Sequence, residues 1–279
     1  MKDTGERHIL NGSFKNKSEL YLHLMHIATY EYAEKFTAGK KVLDFGCGSG
    51  YGSHMLSLKA KSVTGVDISR EAVDFARKEY PSPNLTFMTI PELGIEKFDV
   101  ITSFQVIEHV PDDQAYASTL QKLLNPGGML MISTPDKKHR LFRYQQPWNI
   151  FHLREYSPES LTNLLERHFD KVEILKIGSD SDLVLEEIKR TRKERLLVIP
   201  STLSIYPYSL RVFLLKLQKK AFDYLKKLKS GNNIPATGKI AQNNFSSEYS
   251  SDVILFQKDM QYSTDLLAVC INEEKDQKI

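Results

Sequence analysis

Short apolar segments alternate with amphipathic segments along the middle of the chain. In the amphipathic segments apolar residues recur three and four positions apart, as on a helix with one buried face, and the short apolar segments are typical of strands covered on both faces. The pattern predicts strands over 41–46, 62–67, 85–90, 98–106, 129–134 and 172–177, and helices over 51–59, 70–80, 113–124 and 158–168. Such alternation favours parallel βαβ units with right-handed crossovers.

One further helix is predicted ahead of the first strand. Residues 1–17 are polar and are predicted to form a loose arm, whereas apolar side chains recur at helical spacing over 18–38. Ser18 is the predicted N-cap of this helix and Gly39 its predicted stop. The first part of the chain is therefore predicted to be an arm and helix over 1–39.

After residue 177 the alternation ends. The pattern predicts helices over 183–198 and 207–229, a loop low in apolar residues over 230–251, a short extra strand over 253–256 and a final strand over 265–271. We expect the final strand to pair antiparallel with the strand over 172–177. The prediction is an α/β sheet of about seven strands whose core comprises 40–180 plus 252–273, with a helical insertion and its loop over 181–251.

Composition excludes several classes of protein. A net charge of +3 on 279 residues is too small to argue for nucleic acid, so we expect no nucleic-acid partner. Cys47 and Cys270 lie far apart and match no metal or disulfide spacing, which predicts a reducing compartment. The N-terminal residues lack an apolar stretch of signal-peptide length, and no run of about 18 apolar residues occurs. These features predict a cytoplasmic protein.

Closely spaced glycines follow the first strand. Gly46, Gly48 and Gly50 come directly after Val42-Leu43-Asp44-Phe45, and glycine lets a ligand approach the backbone because it has no Cβ. Asp67 ends the next predicted strand, where a carboxylate can accept hydrogen bonds from both hydroxyls of a ribose. The two features predict a nucleoside pocket at the carboxyl ends of neighbouring strands.

A nicotinamide dinucleotide fits these residues poorly. Its G-x-G-x-x-G fingerprint needs a small residue at position 51, which is Tyr51 here. Asp44 would repel a pyrophosphate, whereas a carboxylate suits a ligand that carries a positive charge.

The chain resembles the class I S-adenosylmethionine-dependent methyltransferases over roughly residues 40–180. The resemblance rests on Asp44-Phe45-Gly46-Cys47-Gly48-Ser49-Gly50, on Asp67, on Lys97-Phe98-Asp99-Val100 and on Leu124-Asn125-Pro126-Gly127-Gly128. It implies a Rossmann-like doubly wound sheet, S-adenosylmethionine as cofactor, and methyl transfer to an acceptor. It implies cofactor contacts from Asp44, Gly46, Cys47, Gly48, Gly50, Asp67, Ile68, Thr89 and Gln105. Thr89 here stands near the position of an acid that relatives usually have.

A finer resemblance is to ubiquinone-pathway O-methyltransferases and to methyltransferases of bacterial glycan pathways. It rests on Gln105-Val106-Ile107-Glu108-His109-Val110, Ser133-Thr134-Pro135 and His152-Leu153-Arg154-Glu155-Tyr156-Ser157. Small-RNA 3′-terminal ribose methyltransferases carry a related Glu-x-x-Glu-His whose side chains hold a divalent metal. The resemblance implies catalytic roles for His109 and Glu108, and a metal such as Mg²⁺ on Glu108, His109 and His152. Gln105 replaces the first glutamate and is a weaker ligand.

We expect the acceptor to be a sugar or a lipid-linked glycan intermediate. A catechol-type quinone precursor is the alternative enzyme substrate, and a regulatory protein that binds the cofactor without turnover is the non-enzymatic alternative. The simpler roles are also open: Glu108 as a capping or surface acid, His109 as a structural histidine, and His152 with Glu155 as caps of the helix near 157.

The basic amphipathic segment over 203–229 has two interpretations. In the first interpretation its apolar face packs on protein, either as a lid or as the interface of a homodimer. In the second interpretation the segment rests on an anionic membrane as an interfacial helix. The second interpretation would place the protein at the inner face of the membrane, where the helix would present a lipid-linked acceptor to the enzyme.

Overall fold

The computed structural model describes residue 14, residues 16–229 and residues 249–273, with the side chains of 226–229 left out. Eight strands form one sheet in the order β3-β2-β1-β4-β5-β8-β6-β7. The strands are β1 Lys41–Phe45, β2 Ser62–Asp67, β3 Leu85–Thr89, β4 Phe98–Phe104, β5 Leu124–Pro135, β6 Lys171–Gly178, β7 Leu255–Gln257 and β8 Ser263–Ile271. The helices are α1 Lys17–Glu34, α2 Tyr51–Ser57, α3 Arg70–Glu79, α4 Asp113–Leu123, α5 Lys137–Arg140, α6 Pro158–Leu165, α7 Asp182–Leu197 and α8 Tyr208–Lys229.

The sheet is parallel from β3 to β5, and β8 lies antiparallel between β5 and β6. The predicted α/β doubly wound sheet with an antiparallel final strand is thus confirmed. The eighth strand is the short β7, which pairs antiparallel with the outer edge of β6. Because the carboxyl ends of β1, β2 and β4 lie together, the loops that follow them meet at one edge of the sheet.

Helices cover both faces of the sheet. On one face, buried side chains of α1, α2, α3 and α7 form one apolar cluster with β1–β3. On the other face, α4 and α6 pack with β4, β5 and β8. Leu183, Val184 and Ile188 of α7 are buried in the first cluster, so this helix belongs to the packed layers even though it falls in the predicted insertion. The predicted division into three segments stays a prediction.

Several predicted boundaries are wrong, each for a local reason. The N-cap of α1 is Asn16, whose side chain accepts a hydrogen bond from the Glu19 amide at 3.0 Å, and not Ser18. The helix ends at Glu34, five residues before Gly39. Strand β4 ends at Phe104 because Gln105 has a left-handed φ of 56°, which no strand continues. Ser69 and Ser157 cap α3 and α6 as predicted.

Most of the predicted arm over 1–17 and of the predicted loop over 230–251 lies outside the described residues, namely residues 1–13, 15 and 230–248. Among the helices that are described, none is both long and apolar enough to cross a bilayer.

Candidate functional site

The largest group of predicted cofactor residues surrounds one cavity. This donor cavity, of about 490 Å³, lies at the carboxyl ends of β1, β2 and β4. Its wall includes Gly46, Cys47, Gly48, Asp67, Ile68, Gln105 and His109 from the predicted set, together with His26, Tyr30, Ile90 and Phe151. Asp44, Gly50 and Thr89 do not line it.

The glycines of the loop after β1 have different tasks. Gly48 has φ +55°, and a Cβ at this position would meet no atom of another segment within 4 Å, so its backbone opens onto the donor cavity. Gly50, at φ +87°, caps α2, and a Cβ there would lie 2.5 Å from the Cβ of Ala76. Gly48 therefore admits a ligand, whereas Gly50 permits close packing of α2 on α3 and β3.

Asp67 ties the glycine loop to the end of β2. Its Oδ2 accepts a hydrogen bond from the Gly48 amide at 3.0 Å, and its Oδ1 accepts one from the Ser69 amide at 2.8 Å. The side chain lines the donor cavity, and Ile68 beside it is 82% exposed at the rim. The carboxylate is held in a fixed orientation, as the predicted contact with ribose hydroxyls requires.

Asp44 lies beneath the loop and is fully buried. Its carboxylate accepts hydrogen bonds from the hydroxyls of Ser53 at 2.6 Å, Thr102 at 3.0 Å and Tyr30 at 3.2 Å. Burial raises the pKa of Asp44 to about 6, although the three hydroxyl donors oppose this rise. Its described hydrogen bonds thus join α1, α2 and β4 beneath the cavity.

Thr89 and Cys47 also have local structural roles. Thr89 caps the short 3₁₀ turn Ile90–Glu92, and its amide donates to the Glu92 carboxylate at 2.7 Å. Its neighbour Ile90 reaches the donor cavity instead. Cys47 is buried in the loop, and burial raises the pKa of its thiol, so the sulfur stays neutral and acts as a small packing group.

A second cavity, of about 670 Å³, adjoins the first and shares His26, Gln105 and His109 with it. We call it the acceptor cavity. Charged and polar side chains dominate its wall, among them Glu108, Arg140, Asn149, His152, Arg190 and Asp265. The lone tryptophan, Trp148, lines it too, with the Arg140 guanidinium 4.6 Å from its ring centroid. Two connected cavities with polar groups between them suit two substrates that meet at His109.

Glu108, His109 and His152 converge at this junction. Each offers a ligand atom, and the three atoms all lie within 4.8 Å of one another. Glu108 and His109 belong to the 3₁₀ turn Ile107–His109 after β4, and the Leu153 amide donates to the Glu108 carbonyl at 2.8 Å. That hydrogen bond fixes the loop of His152 against the turn.

Glu108 is fully buried and does not serve as a surface acid. Its Oε2 accepts a hydrogen bond from the Thr134 hydroxyl at 3.0 Å, whereas its buried Oε1 has no hydrogen-bond partner among the described residues. Burial raises the pKa of Glu108 to about 8. A buried carboxylate oxygen without a partner is costly unless a cation or a proton satisfies it.

Both imidazole rings are oriented through their Nδ1 atoms. His152 Nδ1 lies 3.1 Å from Glu155 Oε1, which the Arg140 Nε also contacts at 3.1 Å, and His109 Nδ1 lies 3.2 Å from the carbonyl of Phe151. A neutral ring that donates from Nδ1 carries its lone pair on Nε2. Burial would raise the pKa of Glu155, but Arg140 and His152 outweigh it, so the net pKa is lowered. His152 and Glu155 are therefore not caps of α6; Ser157 has that task.

Asp265 is one of the site residues that the sequence prediction missed. It stands near the start of β8, is buried at the acceptor cavity, and accepts a hydrogen bond from Gln105 Nε2 at 3.0 Å. Burial raises the pKa of Asp265 to about 6. An acid at the head of the apolar run Leu266-Leu267-Ala268-Val269 was the available signal, but nothing local connects it to Gln105, 160 positions earlier.

Comparison with known proteins assigns the class. A family profile described as "Methyltransferase domain" matches residues 22–192, more than half of the chain. The chain therefore belongs to the class I S-adenosylmethionine-dependent methyltransferases. The fold alone is also shared with a solved structure from Thermotoga maritima, titled an S-adenosylmethionine-dependent methyltransferase and possible histamine N-methyltransferase. The TM-score is 0.51 at 12% identity, covering 92% of this chain and 96% of that one.

Two curated relatives are similar in sequence. A probable S-adenosylmethionine-dependent methyltransferase of Mycolicibacterium smegmatis is 34% identical over 165 residues, 58% of this chain and 63% of that protein. A ubiquinone biosynthesis O-methyltransferase of Actinobacillus pleuropneumoniae serotype 5b is 31% identical over 196 residues, 64% of this chain and 80% of that protein. The chain thus spans less than two thirds of the first relative's length.

Proposed function

We propose that this protein transfers the methyl group of S-adenosylmethionine to a hydroxyl oxygen of a sugar or lipid-linked glycan. The observation that carries the proposal is the junction of Glu108, His109 and His152 between a cavity with a glycine-loop wall and a polar cavity. The sulfonium of the donor makes its methyl group electrophilic, so the protein's main task is to hold the acceptor oxygen in line with it.

The donor cavity offers each part of S-adenosylmethionine a suitable wall. The open backbone at Gly48 suits the methionine portion, the fixed carboxylate of Asp67 suits the ribose hydroxyls, and Ile68 and Ile90 offer apolar surface to the adenine. Gln105 lines both cavities, which supports a contact with the donor close to the transferred group.

A divalent metal fits the residues at the junction. Glu108 and the Nε2 atoms of His109 and His152 would hold it, and a cation there would satisfy Oε1 of Glu108, which no described residue contacts through a hydrogen bond. The Glu155–His152 contact is the carboxylate–histidine arrangement common around protein-bound metals. Two imidazoles and one carboxylate favour Mn²⁺, Fe²⁺ or Zn²⁺ over the expected Mg²⁺, which prefers oxygen ligands. When bound, such a metal lowers the pKa of a coordinated hydroxyl and orients it.

The remaining residues of the acceptor cavity support an acceptor with many hydroxyl groups. Its wall contains carboxylates, amides and guanidinium groups, and Trp148 offers a flat apolar surface of the kind that stacks on a sugar ring. His109 stands where the acceptor oxygen would meet the methyl group. With a metal bound, His109 would be one of its ligands; without a metal, its Nε2 would take the acceptor's proton.

A catechol-type quinone precursor is the second candidate acceptor. It is favoured by the 31% identity to a ubiquinone biosynthesis O-methyltransferase over 80% of that protein's length. Two adjacent hydroxyl groups on a ring would suit the same junction.

The test is a turnover screen of the purified protein with S-adenosylmethionine. Nucleotide-sugars, glycan oligomers and catechols are compared, each with Mn²⁺, Zn²⁺, Mg²⁺ or a chelator, and S-adenosylhomocysteine release is measured. We expect a hydroxylated acceptor to be methylated, with the chelator abolishing turnover. Turnover that survives the chelator assigns His109 as a base without a metal.

Glu108→Gln and Glu79→Gln are matched variants for this screen, because both remove one carboxylate charge. Glu108 is buried at the junction, whereas Glu79 is exposed at the end of α3. Loss of turnover in the first variant alone supports the proposed site. If no acceptor releases S-adenosylhomocysteine although calorimetry detects donor binding, the protein is a cofactor-binding regulator and the proposal fails.

A further inference from the structure

Helix α8 carries an apolar surface that no described part of the chain covers. Phe213 is 61% exposed, Leu217 53% and Tyr224 64%, and Leu210 and Leu225 are exposed beside them. Spacings of three, four and seven place these side chains on one face of the helix. We call this face the α8 stripe. Within the described residues only the Arg211 and Leu215 side of α8 is buried, and the predicted role of this segment as a lid or homodimer interface stays a prediction.

The apolar surface continues onto the end of α7. Gln218 Nε2 donates to the Leu197 carbonyl at 2.7 Å, and the Ser201 hydroxyl donates to Gln218 Oε1 at 2.6 Å. These bonds hold the end of α7 against α8, on the side of the helix that carries Leu225. Leu196 and Leu197 are 57% and 44% exposed there. An apolar area spread over two elements exceeds the isolated exposed leucines normal on a soluble protein.

Lysines border the α8 stripe. Lys216 and Lys220 follow Phe213 and Leu217 by three positions, so each lies beside the stripe on the helix surface. The sequence of α8 contains six lysines and a single acidic residue, Asp223. An apolar stripe edged by lysines is complementary to anionic headgroups above an acyl layer, whereas lysine is depleted at surfaces that bind other proteins.

The helix is held firmly over the acceptor cavity. The buried guanidinium of Arg211 donates to the Pro147 carbonyl at 3.0 Å and to the His152 carbonyl at 2.9 Å. Lys219 of α8 lines the acceptor cavity. A surface on which α8 rests would therefore lie close to the residues that receive the acceptor.

We propose that the α8 stripe docks on an anionic phospholipid bilayer, with its apolar side chains at the acyl boundary and its lysines among the headgroups. The helix lies in the interface and does not cross the membrane, consistent with the absence of a spanning helix among the described residues. Docking needs neither the methyl donor nor any particular acceptor. An experiment can therefore test it independently of the proposed methyl transfer.

The test is co-sedimentation of the full chain with vesicles, without donor or acceptor. Vesicles of phosphatidylglycerol and phosphatidylcholine in equal parts are compared with vesicles of phosphatidylcholine alone. We expect about fivefold or more protein bound to the anionic vesicles, and release at high salt. The double variant Phe213→Ser and Leu217→Ser loses this binding, and Lys216→Gln with Lys220→Gln weakens it on anionic vesicles. Ile95→Ser, at an apolar residue 98% exposed before β4, binds as the wild type does.

Calorimetry with S-adenosylmethionine and a thermal melt confirm that each variant is folded. Equal pelleting of the wild type and the Phe213→Ser, Leu217→Ser variant overturns the proposal, as does a wild type that binds neither vesicle. A wild-type dimer in solution that the same variant converts to a monomer also overturns it, since a second copy then covers the stripe.

Discussion

The donor cavity and the acceptor cavity meet at His109 but are built differently. The donor cavity is built around the glycine loop, the turn after β2 and the end of β4, with Gly48 as its open point and side chains of α1 completing its wall. The acceptor cavity is made of side chains from α1, the 3₁₀ turn 107–109, residues 139–152, α7, α8 and β8. Loops that follow adjacent strands suit a constant cofactor, whereas a wall of side chains from several distant segments can change its acceptor one residue at a time.

The largest expected effect separates the two cavities by function. His109→Ala should lower turnover by about 10²–10⁴-fold, because it removes the group that holds or deprotonates the acceptor oxygen. The dissociation constant of S-adenosylmethionine, measured by calorimetry, should stay near the wild-type value. Retained turnover, or a donor affinity that falls along with it, would contradict the assignment of His109 to the acceptor side.

A pair of glycine variants tests the glycine loop of the donor cavity. Gly50→Ala should lower the free energy of unfolding by about 3 kcal/mol, since overlap with Ala76 costs about 1–3 kcal/mol and the left-handed backbone costs about 1–2 kcal/mol. Gly48→Ala has no such overlap and should lower the free energy of unfolding by only about 1–2 kcal/mol. Its larger effect should be on donor affinity. Denaturant titration and calorimetry measure the two quantities, and equal destabilisation by both variants would refute the distinction.

The buried carboxylate beneath the donor cavity predicts a pH dependence of stability. Because the pKa of Asp44 is raised from 3.8 to about 6, the folded state binds more protons than the unfolded state between these values. The contribution of Asp44 therefore falls as pH rises from about 4 to 6, by up to about 3 kcal/mol. Asp44→Asn should remove this decline. Denaturant titrations at pH 4 and pH 7 measure the free energy of unfolding of both proteins. From pH 4 to pH 7 the variant should gain stability relative to the wild type, and an unchanged difference between the two proteins would contradict the prediction.

The smallest expected effect concerns the support of His152. Glu155→Gln removes the charge that orients the imidazole, and the loss of such a partner typically lowers metal affinity by about 10–100-fold. Donor affinity should not change, because Glu155 does not line the donor cavity. Glu159→Gln, at an exposed acid in the first turn of α6, is the matched control. Equal Mn²⁺ affinity in the two variants would argue against a metal on His152.

The parts of the site that sequence predicted well are those formed by neighbours along the chain. The loop from Gly46 to Gly48 follows a strand directly, and Asp67 ends the next strand, so two parallel strands bring them together without further information. Gly50 was predicted for the same cavity, yet its contacts are with Ala76 and Phe87. A glycine pattern identifies a tight loop, but it does not say which glycine faces a ligand and which faces the core.

Residues from distant segments could not be assigned in the same way. Asp265 reaches Gln105 only because β8 inserts between β5 and β6, and the Glu155–Arg140 pair orients His152 only once residues 137–156 fold back over β5. The α8 stripe is a similar case. The sequence pattern predicts one apolar face on this helix, and an apolar face is normally the buried one. In the structure the charged residue Arg211 is buried, whereas Phe213 of the apolar face is exposed.

The sequence alone determined the alternation of strands and helices, the glycine loop and the acid after β2. These depend on side-chain periodicity and backbone freedom, which act between neighbouring residues. Only the tertiary structure decided which polar groups share the acceptor cavity, which carboxylates are buried with raised pKa values, and which face of α8 meets solvent. Those properties depend on desolvation and on contacts between separate segments, up to 160 positions apart for Gln105 and Asp265, and no local pattern encodes them.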